Sequence, residues 1–336
     1  MTAEPRFSRR HGALLGLLAA LVALLATASL LLGPAPLDVP AALADVLSGR
    51  DTLGALVLAD LRLPRAALGL TVGFSLGITG AALQGFLRNP LADPGIIGVS
   101  GAAAFGAVVV FYSGLAGVAA LALPLGGIAG AAVATALIYA LGGRASGTAA
   151  LILAGVALNS LGGALTALAL NLSPNPYAVT EIVFWLMGSF SDRNPDAVAL
   201  VVPMMAAGWL VLLATARGLD ALTLGEETAA SLGFSLRRVR ALVIAGSALC
   251  VGAAVAVAGS IGFVGLVVPH LMRPLTGHRP GRLLVASGLA GAALTLASDL
   301  LVRLIPVQPE LKIGVVTALV GAPFLIALIG RGPARF

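Results

Sequence analysis

Apolar runs of about 20 residues recur along almost the whole chain, and this constrains the fold more than any other feature, because each run matches the roughly 30 Å hydrocarbon core of a bilayer. They are Gly12 to Leu32, Leu61 to Leu87, Gly95 to Tyr112, Leu115 to Leu141, Thr148 to Leu170, Ala197 to Ala216, Ala241 to Leu275, Leu283 to Val302 and Ile313 to Ile329. Only a helix or a closed barrel satisfies its backbone polar groups in hydrocarbon, and runs this long without alternation predict helices. With 59% apolar and 10% charged residues and a mean hydropathy of +1.05 over 336 residues, no soluble domain could cover its surface. The expected fold is an all-α polytopic membrane protein.

Charge then sets orientation. A net charge of +6 suggests nucleic acid in a soluble chain, but here the arginines stand between apolar runs, so they report topology and no nucleic-acid partner is expected. The basic start Arg6, Arg9, Arg10 and His11 precedes a run long enough to span, and the later chain is membrane-embedded too, which favours a retained first helix over a signal peptide. The run from Ala241 to Leu275 is too long for one span. A single crossing would put Arg279 and Arg282 opposite Arg237, Arg238 and Arg240; two short crossings broken near Gly259 to Gly262 keep both clusters on one side. The result is about ten transmembrane helices with both termini cytoplasmic. Of the 20 Lys and Arg, 14 then lie inside and only Arg50, Arg62, Arg65, Arg193, Arg303 and Lys312 outside. The expected organisation is a cytoplasmic segment 1–11, one transmembrane domain 12–330 with a cytoplasmic loop 217–240, and a cytoplasmic tail 331–336. Tyr177 to Phe190, with Trp185 and Tyr177 suited to an interface, predicts a short surface helix. Gly80 to Pro90 and Gly259 to Pro269 share a glycine and a proline at one offset, which suggests an inverted repeat on oppositely directed helices.

Several chemistries are absent. There is no G-x-x-x-x-G-K-[ST], and the only lysine is Lys312, so any ATP use belongs to a partner. His11, His270 and His278 lie far apart without Cys or carboxylate at ligand spacing, and the single Cys250 supports neither a disulfide nor a metal site. No catalytic residues, no metal and no cofactor are expected. An ion-coupled secondary transporter would need acidic or histidine residues buried mid-helix, and the pattern offers none.

Three polar features remain. Gln84 to Pro94 holds two prolines that force Asn89 and Asp93 out of the helical region, with Asp93 as N-cap and Pro94 at the first helical position, which predicts a rigid inner-face corner between two helices. Arg62, Arg65 and Arg303 are excess positive charge on the outer side, where they either dock an acidic partner or anchor helix ends by snorkelling; Asp299 stands four residues before Arg303 as an acid-to-base pair. Leu219 to Arg240 predicts two short helices outside the membrane, with Gly225 and Gly233 bracketing two turns and Glu226 and Glu227 in the first turn, shaped to press on another protein.

Arg62-Leu-Pro-Arg65, Gln84, Asn89-Pro-Leu-Ala-Asp-Pro94, Gly98-Val-Ser100, Gly259-Ser-Ile-Gly-Phe-Val-Gly-Leu-Val-Val-Pro-His270, Arg273 and Gly277 together resemble the FecCD family of iron-chelate and cobalamin permeases, the type II ABC importers. Glu310-Leu-Lys-Ile-Gly314 with Gly321-Ala-Pro323 resembles the family's last-helix motif, with Lys312 where a proline is usual. The resemblance implies a permease in the bacterial cytoplasmic membrane, surrounded by lipid and carrying an iron(III)-siderophore, or alternatively haem or cobalamin. It implies a homodimer or paralogous heterodimer, two ATP-binding cassette subunits inside, and a soluble or lipid-anchored substrate-binding protein outside. It assigns Arg62, Arg65 and Arg303 to docking of the binding protein, Asn89 and Leu91 to a cytoplasmic gate, and Glu226, Glu227, Ala229 and Gly233 to coupling with the ATPase. Asn159 and Ser160 are candidates for lining the path.

Overall fold

The computed structural model describes residues 4–33, 36–142, 148–307 and 309–330, and these form a bundle of helices. They run α1 (Glu4–Leu31), α2 (Val39–Leu47), α3 (Leu53–Leu56), α4 (Leu63–Leu87), α5 (Val99–Tyr112), α6 (Ala122–Gly142), α7 (Thr148–Asn171), α8 (Pro176–Leu186), α9 (Pro195–Leu213), α10 (Ala216–Leu222), α11 (Glu226–Ser231), α12 (Leu236–Ala258), α13 (Val264–Met272), α14 (Pro280–Leu304) and α15 (Ile313–Gly330). Among the described residues seven helices are long and apolar enough to cross a membrane, and α5, α8 and α15 are shorter apolar helices. The ten crossings expected from the sequence are therefore not all made by helices of spanning length.

The central helix is α4. A π-helical stretch, Val57–Arg62, joins α3 to it, so one continuous helical segment runs from Leu53 to Leu87. Four of its glycines decide its neighbours. A Cβ on Gly77 would sit 2.0 Å from the Ser287 carbonyl oxygen, and one on Gly73 only 2.4 Å from that of Gly291, so Gly69, Gly73 and Gly77 form a smooth stripe that lets α14 lie backbone to backbone on α4. Small stripes of this kind substitute close van der Waals packing for the hydrophobic drive that lipid does not supply. Gly80 does the same for α13: its Cβ would meet the Gly265 carbonyl oxygen at 1.8 Å. The pairings Gly80 with Gly265 and Gln84 with Arg273 advance together, so α4 and α13 run in the same direction. The two repeat-like segments are thus packed partners running in parallel, which corrects the inverted repeat.

The long run Ala241 to Leu275 also differs from the two short crossings expected of it. Its first part belongs to α12, a 23-residue helix, and its second is the nine-residue α13, with Gly259 to Phe263 unwound between them and Phe263 in the left-handed region. The break lies where the glycines predicted it; the halves are unequal. Trp185 likewise departs from its interfacial role, being buried with its ring 6.0 Å from Phe111, whereas Tyr177 is exposed.

Candidate functional site

Polar side chains gather at the two ends of α4. At the first end, Arg65 reaches two carboxylates at once: Nε donates to Asp299 Oδ1 at 2.9 Å, and Nη2 to Glu310 Oε1 at 2.5 Å. Asp299, fully buried on α14, also accepts from Arg303 one turn later, the pair that the sequence spacing predicted. Glu310 in addition accepts from the Ser191 hydroxyl at 2.5 Å. Burial pushes the Glu310 carboxyl up, but hydrogen bonds from Arg65 and Ser191 and the charges of Arg65 and Arg303 outweigh it and hold the group below its ordinary value.

Arg62 and Arg303 do something the sequence did not suggest. Arg62 Nη1 donates to the carbonyls of Leu30 and Leu31 at 2.6 and 2.9 Å, while Arg303 donates to the Ser29 carbonyl and hydroxyl, both at 2.8 Å. A helix leaves its last four carbonyls without intrahelical partners; in α1 these two guanidiniums satisfy Ser29, Leu30 and Leu31, and the Leu32 N–H satisfies Ala28. Arg65 and Arg303 thus face the carboxylates Asp299 and Glu310, while Arg62 is turned to the end of α1.

At the second end, α4 stops at Arg88, which caps it in the left-handed conformation, φ 48°. Asn89 then folds on itself, its Oδ1 accepting the Leu91 N–H at 2.9 Å, and Asp93 caps a 3-10 turn, Pro94–Ile97, through the Gly95 N–H at 2.8 Å. The predicted caps form, but the corner is not confined to one face. Pro94 packs on Gly265, and Gly265 lies against the Leu76 carbonyl and Gly80, so the chain has turned back roughly 10–16 Å along α4 at 1.5 Å per residue. It is a re-entrant corner. Gln84, 2% exposed, fastens it: Nε2 donates to the carbonyls of Ala92 and Leu266 at 3.3 and 3.2 Å, and Oε1 accepts from Arg273 Nη2 at 2.6 Å. One amide therefore ties α4, the corner and α13 together.

Beyond this corner stands the pair α10–α11. Positive φ at Gly225 and Gly233, 103° and 87°, brackets α11 as the sequence predicted. Ala229 and Leu219 are buried beneath the pair, while Leu224, Leu232, Glu226 and Glu227 are exposed. Leu219, Leu222 and Ala229 pack into the core of the bundle, and two polar contacts add to this: Asp220 Oδ1 accepts the Gly281 N–H at the start of α14 at 2.7 Å, and Glu226 lies 3.7 Å from Arg88. Between the two ends of α4 lies a cavity of about 160 Å³, bordered by Asp93, Ser100 and Asn159 on one side and by Gly259, Ser260 and Ile261 of the α12–α13 break on the other.

Comparison with known proteins decides what this bundle is. Residues 20–331 match the model of the FecCD transport family. The chain belongs to that family. It is 39% identical over 273 residues to the cobalamin import system permease protein of Halobacterium salinarum, covering 81% of this chain and 73% of that one. It is 37% identical over 305 residues to the Fe(3+) dicitrate transport system permease protein of Escherichia coli K12, covering 90% and 93%. A solved structure described as an inward-facing conformation of a putative metal-chelate type ABC transporter superposes with a TM-score of 0.84 at 33% identity, covering 96% of this chain and all of that one. This FecCD chain is accordingly a membrane permease of an ABC importer, a transport subunit and not an enzyme.

Within the permease, the residues singled out by resemblance fall into separate places. Arg65 and Arg303 share Asp299, and Arg62 is buried beside them on α1. Asn89 and Leu91 form the exposed tip of the re-entrant corner, and Glu226, Glu227, Ala229 and Gly233 belong to α11 and its C-terminal turn. Asn159 touches the start of α5, where a Cβ on Gly101 would lie 2.6 Å from its Oδ1, and borders the cavity; its neighbour Ser160 is exposed on α7. The sequence reading passed over Asp220 and assigned no role to Gln84, Arg273 or Glu310. The usable signal was that each is a hydrogen-bonding side chain within or beside an apolar run, where burial without a partner is costly.

Proposed function

We propose that this permease carries an iron(III) chelate, a ferric siderophore in the first instance, across the bacterial cytoplasmic membrane, with the α10–α11 end and both termini facing the cytoplasm. Two copies enclose one path, with Asn159 and Ser160 on its wall. Two ATP-binding cassette subunits seat on α10–α11, and a substrate-binding protein docks at the Arg65 end through Arg62, Arg65 and Arg303. The observation that carries this reading is the attachment of α10–α11. Asp220 links it to α14 and Glu226 links it to the corner that bears Asn89 and Leu91, so a push on the pair reaches the tip of the corner directly. ATP binding draws the cassette subunits together, α10–α11 follows, and the corner tip opens or closes the cytoplasmic mouth. A corner held by Gln84 and two prolines has a defined closed position, which a gate requires.

The test is reconstitution. The permease with its ATPase subunits, given binding protein loaded in turn with a ferric siderophore, haem or cobalamin, takes up the siderophore at the expense of ATP. Preferred uptake of haem or cobalamin moves the cargo to that chelate, and uptake by the permease alone under a proton gradient overturns the importer reading. Replacing Glu227 with Ala or Gly233 with Val raises ATP hydrolysed per chelate carried; an unchanged ratio in both removes the coupling role of α11.

A further inference from the structure

We propose that Glu310 is a built-in stand-in for a carboxylate of the docking protein: it holds the accessible side of Arg65 while no partner is bound, and an acidic side chain of the partner displaces it. The inference rests on reading the Arg65 end as the docking face. The two carboxylates on Arg65 are not equivalent. Asp299 is fully buried, lies within a helix and is shared with Arg303. The Glu310 side chain is 31% exposed and stands on the irregular segment between α14 and α15. Only Glu310 can leave without unpacking a helix. The guanidinium geometry makes the two occupants exclusive. Arg65 Nε serves Asp299 and both terminal nitrogens serve Glu310, at 3.3 and 2.5 Å, so a second carboxylate gains a two-pronged contact only by taking Glu310's place.

Displacement has a defined consequence. Glu310 also holds Ser191, and close by the Ile313 N–H donates to the Gly188 carbonyl at 3.0 Å, the Ser189 N–H to Ala258 at 2.8 Å and the Ser260 N–H to Leu186 at 3.3 Å. Segments 186–191, 258–262 and 310–314 are thus interlocked, and Gly259, Ser260 and Ile261 wall the cavity. Glu310 is the latch that fastens this assembly to α4. When the partner's carboxylate takes Arg65, the latch is released, and the arrival of a loaded binding protein loosens the end of the path it must deliver into.

The test titrates chelate-loaded binding protein onto the whole permease–ATPase complex in lipid nanodiscs, with thermal melting and gel filtration confirming assembly of each variant. Glu310→Gln removes the competitor and binds about two- to five-fold more tightly, the range a partly exposed ion pair supplies. Ser191→Ala, which frees Glu310 without altering charge, tightens binding by less. Arg65→Gln weakens it. Unchanged or weaker binding by Glu310→Gln, with Arg65→Gln still weakened, overturns the stand-in and leaves the docking face intact. Tightening in Glu310→Gln alone, with Ser191→Ala like wild type, also overturns it, since the gain is then general charge attraction. Wild-type binding by Arg65→Gln removes the docking face, and the stand-in with it. If Glu310→Gln fails to assemble, Ser191→Ala decides.

Discussion

The two ends of α4 solve the same problem, fastening an irregular segment to a helix, with opposite chemistry. At the Arg65 end the fastening is ionic: one guanidinium spans Asp299 and Glu310, and Arg62 and Arg303 cap α1. At the Gln84 end it is a neutral amide whose donors go to backbone carbonyls of Ala92 and Leu266, backed by glycine-to-backbone contact between α4 and α13. A carboxylate on an arginine can be exchanged for another carboxylate. A carbonyl of the same chain has no such substitute. The contrast separates an end whose ionic partners could be replaced in kind from an end whose partners are fixed by its own chain.

The largest effect that would test this contrast comes from Asp299→Ala. It leaves Arg65 and Arg303 facing each other at a buried site without the carboxylate they share, and loss of one partner from a buried ionic group costs about 3–5 kcal/mol. Thermal melting of the purified permease should fall accordingly. A fall under about 1 kcal/mol would mean that the cluster is solvated like a surface pair, and the contrast would lose its ionic half. Gln84→Met keeps the volume but removes the amide, leaving Arg273 and two carbonyls without their partner; the expected loss is about 1–3 kcal/mol, with faster proteolysis near Asn89. Protection of the corner equal to wild type would show that the prolines alone hold it.

Much of this was legible in the sequence, and the failures have physical causes. The apolar runs announced membrane helices, the glycines at 259 and 262 marked the break between α12 and α13, and Gly225 with Gly233 marked the ends of α11. Each of these is a local property. The re-entrance of the corner was invisible because it depends on what Pro94 packs against, Gly265, which lies 171 positions later in the chain. The capping contacts of Arg62 and Arg303 were not foreseen for a related reason: charge counting treats an arginine as a surface group, whereas here the partners are backbone carbonyls of α1, which carry no sequence signal. Asp299 was half legible, since spacing revealed Arg303 but not Arg65, 234 residues away.

The Glu310 half of the ionic end gives a smaller, pH-dependent effect. Its carboxyl is held below the usual range in the folded chain, so its contribution is complete above the unfolded value of about 4.3 and fades as pH falls through the lower folded value. The excess melting stability of wild type over Glu310→Gln, under about 1 kcal/mol for a side chain this exposed, should therefore be constant at neutral pH and vanish on acidification. An excess that persists in strong acid would assign it to packing instead.

The smallest effect on stability is expected where the neutral end meets α11. Arg88 and Glu226 stand 3.7 Å apart and are half exposed, so Arg88→Glu should change melting by less than about 1 kcal/mol. Stability and transmission are separable here, because the pair joins two elements that are each held by stronger contacts, the corner by Gln84 and α10 by Asp220. If the corner moves with α11, Arg88→Glu should raise the ATP hydrolysed per chelate carried, and the reversed pair Arg88→Glu with Glu226→Arg should restore it. A ratio that ignores both changes would route the movement through Asp220 and α14. The corner would then follow α14 through the packing of Gly85 on Pro280, and the rigid unit at this end would include the start of α14 as well.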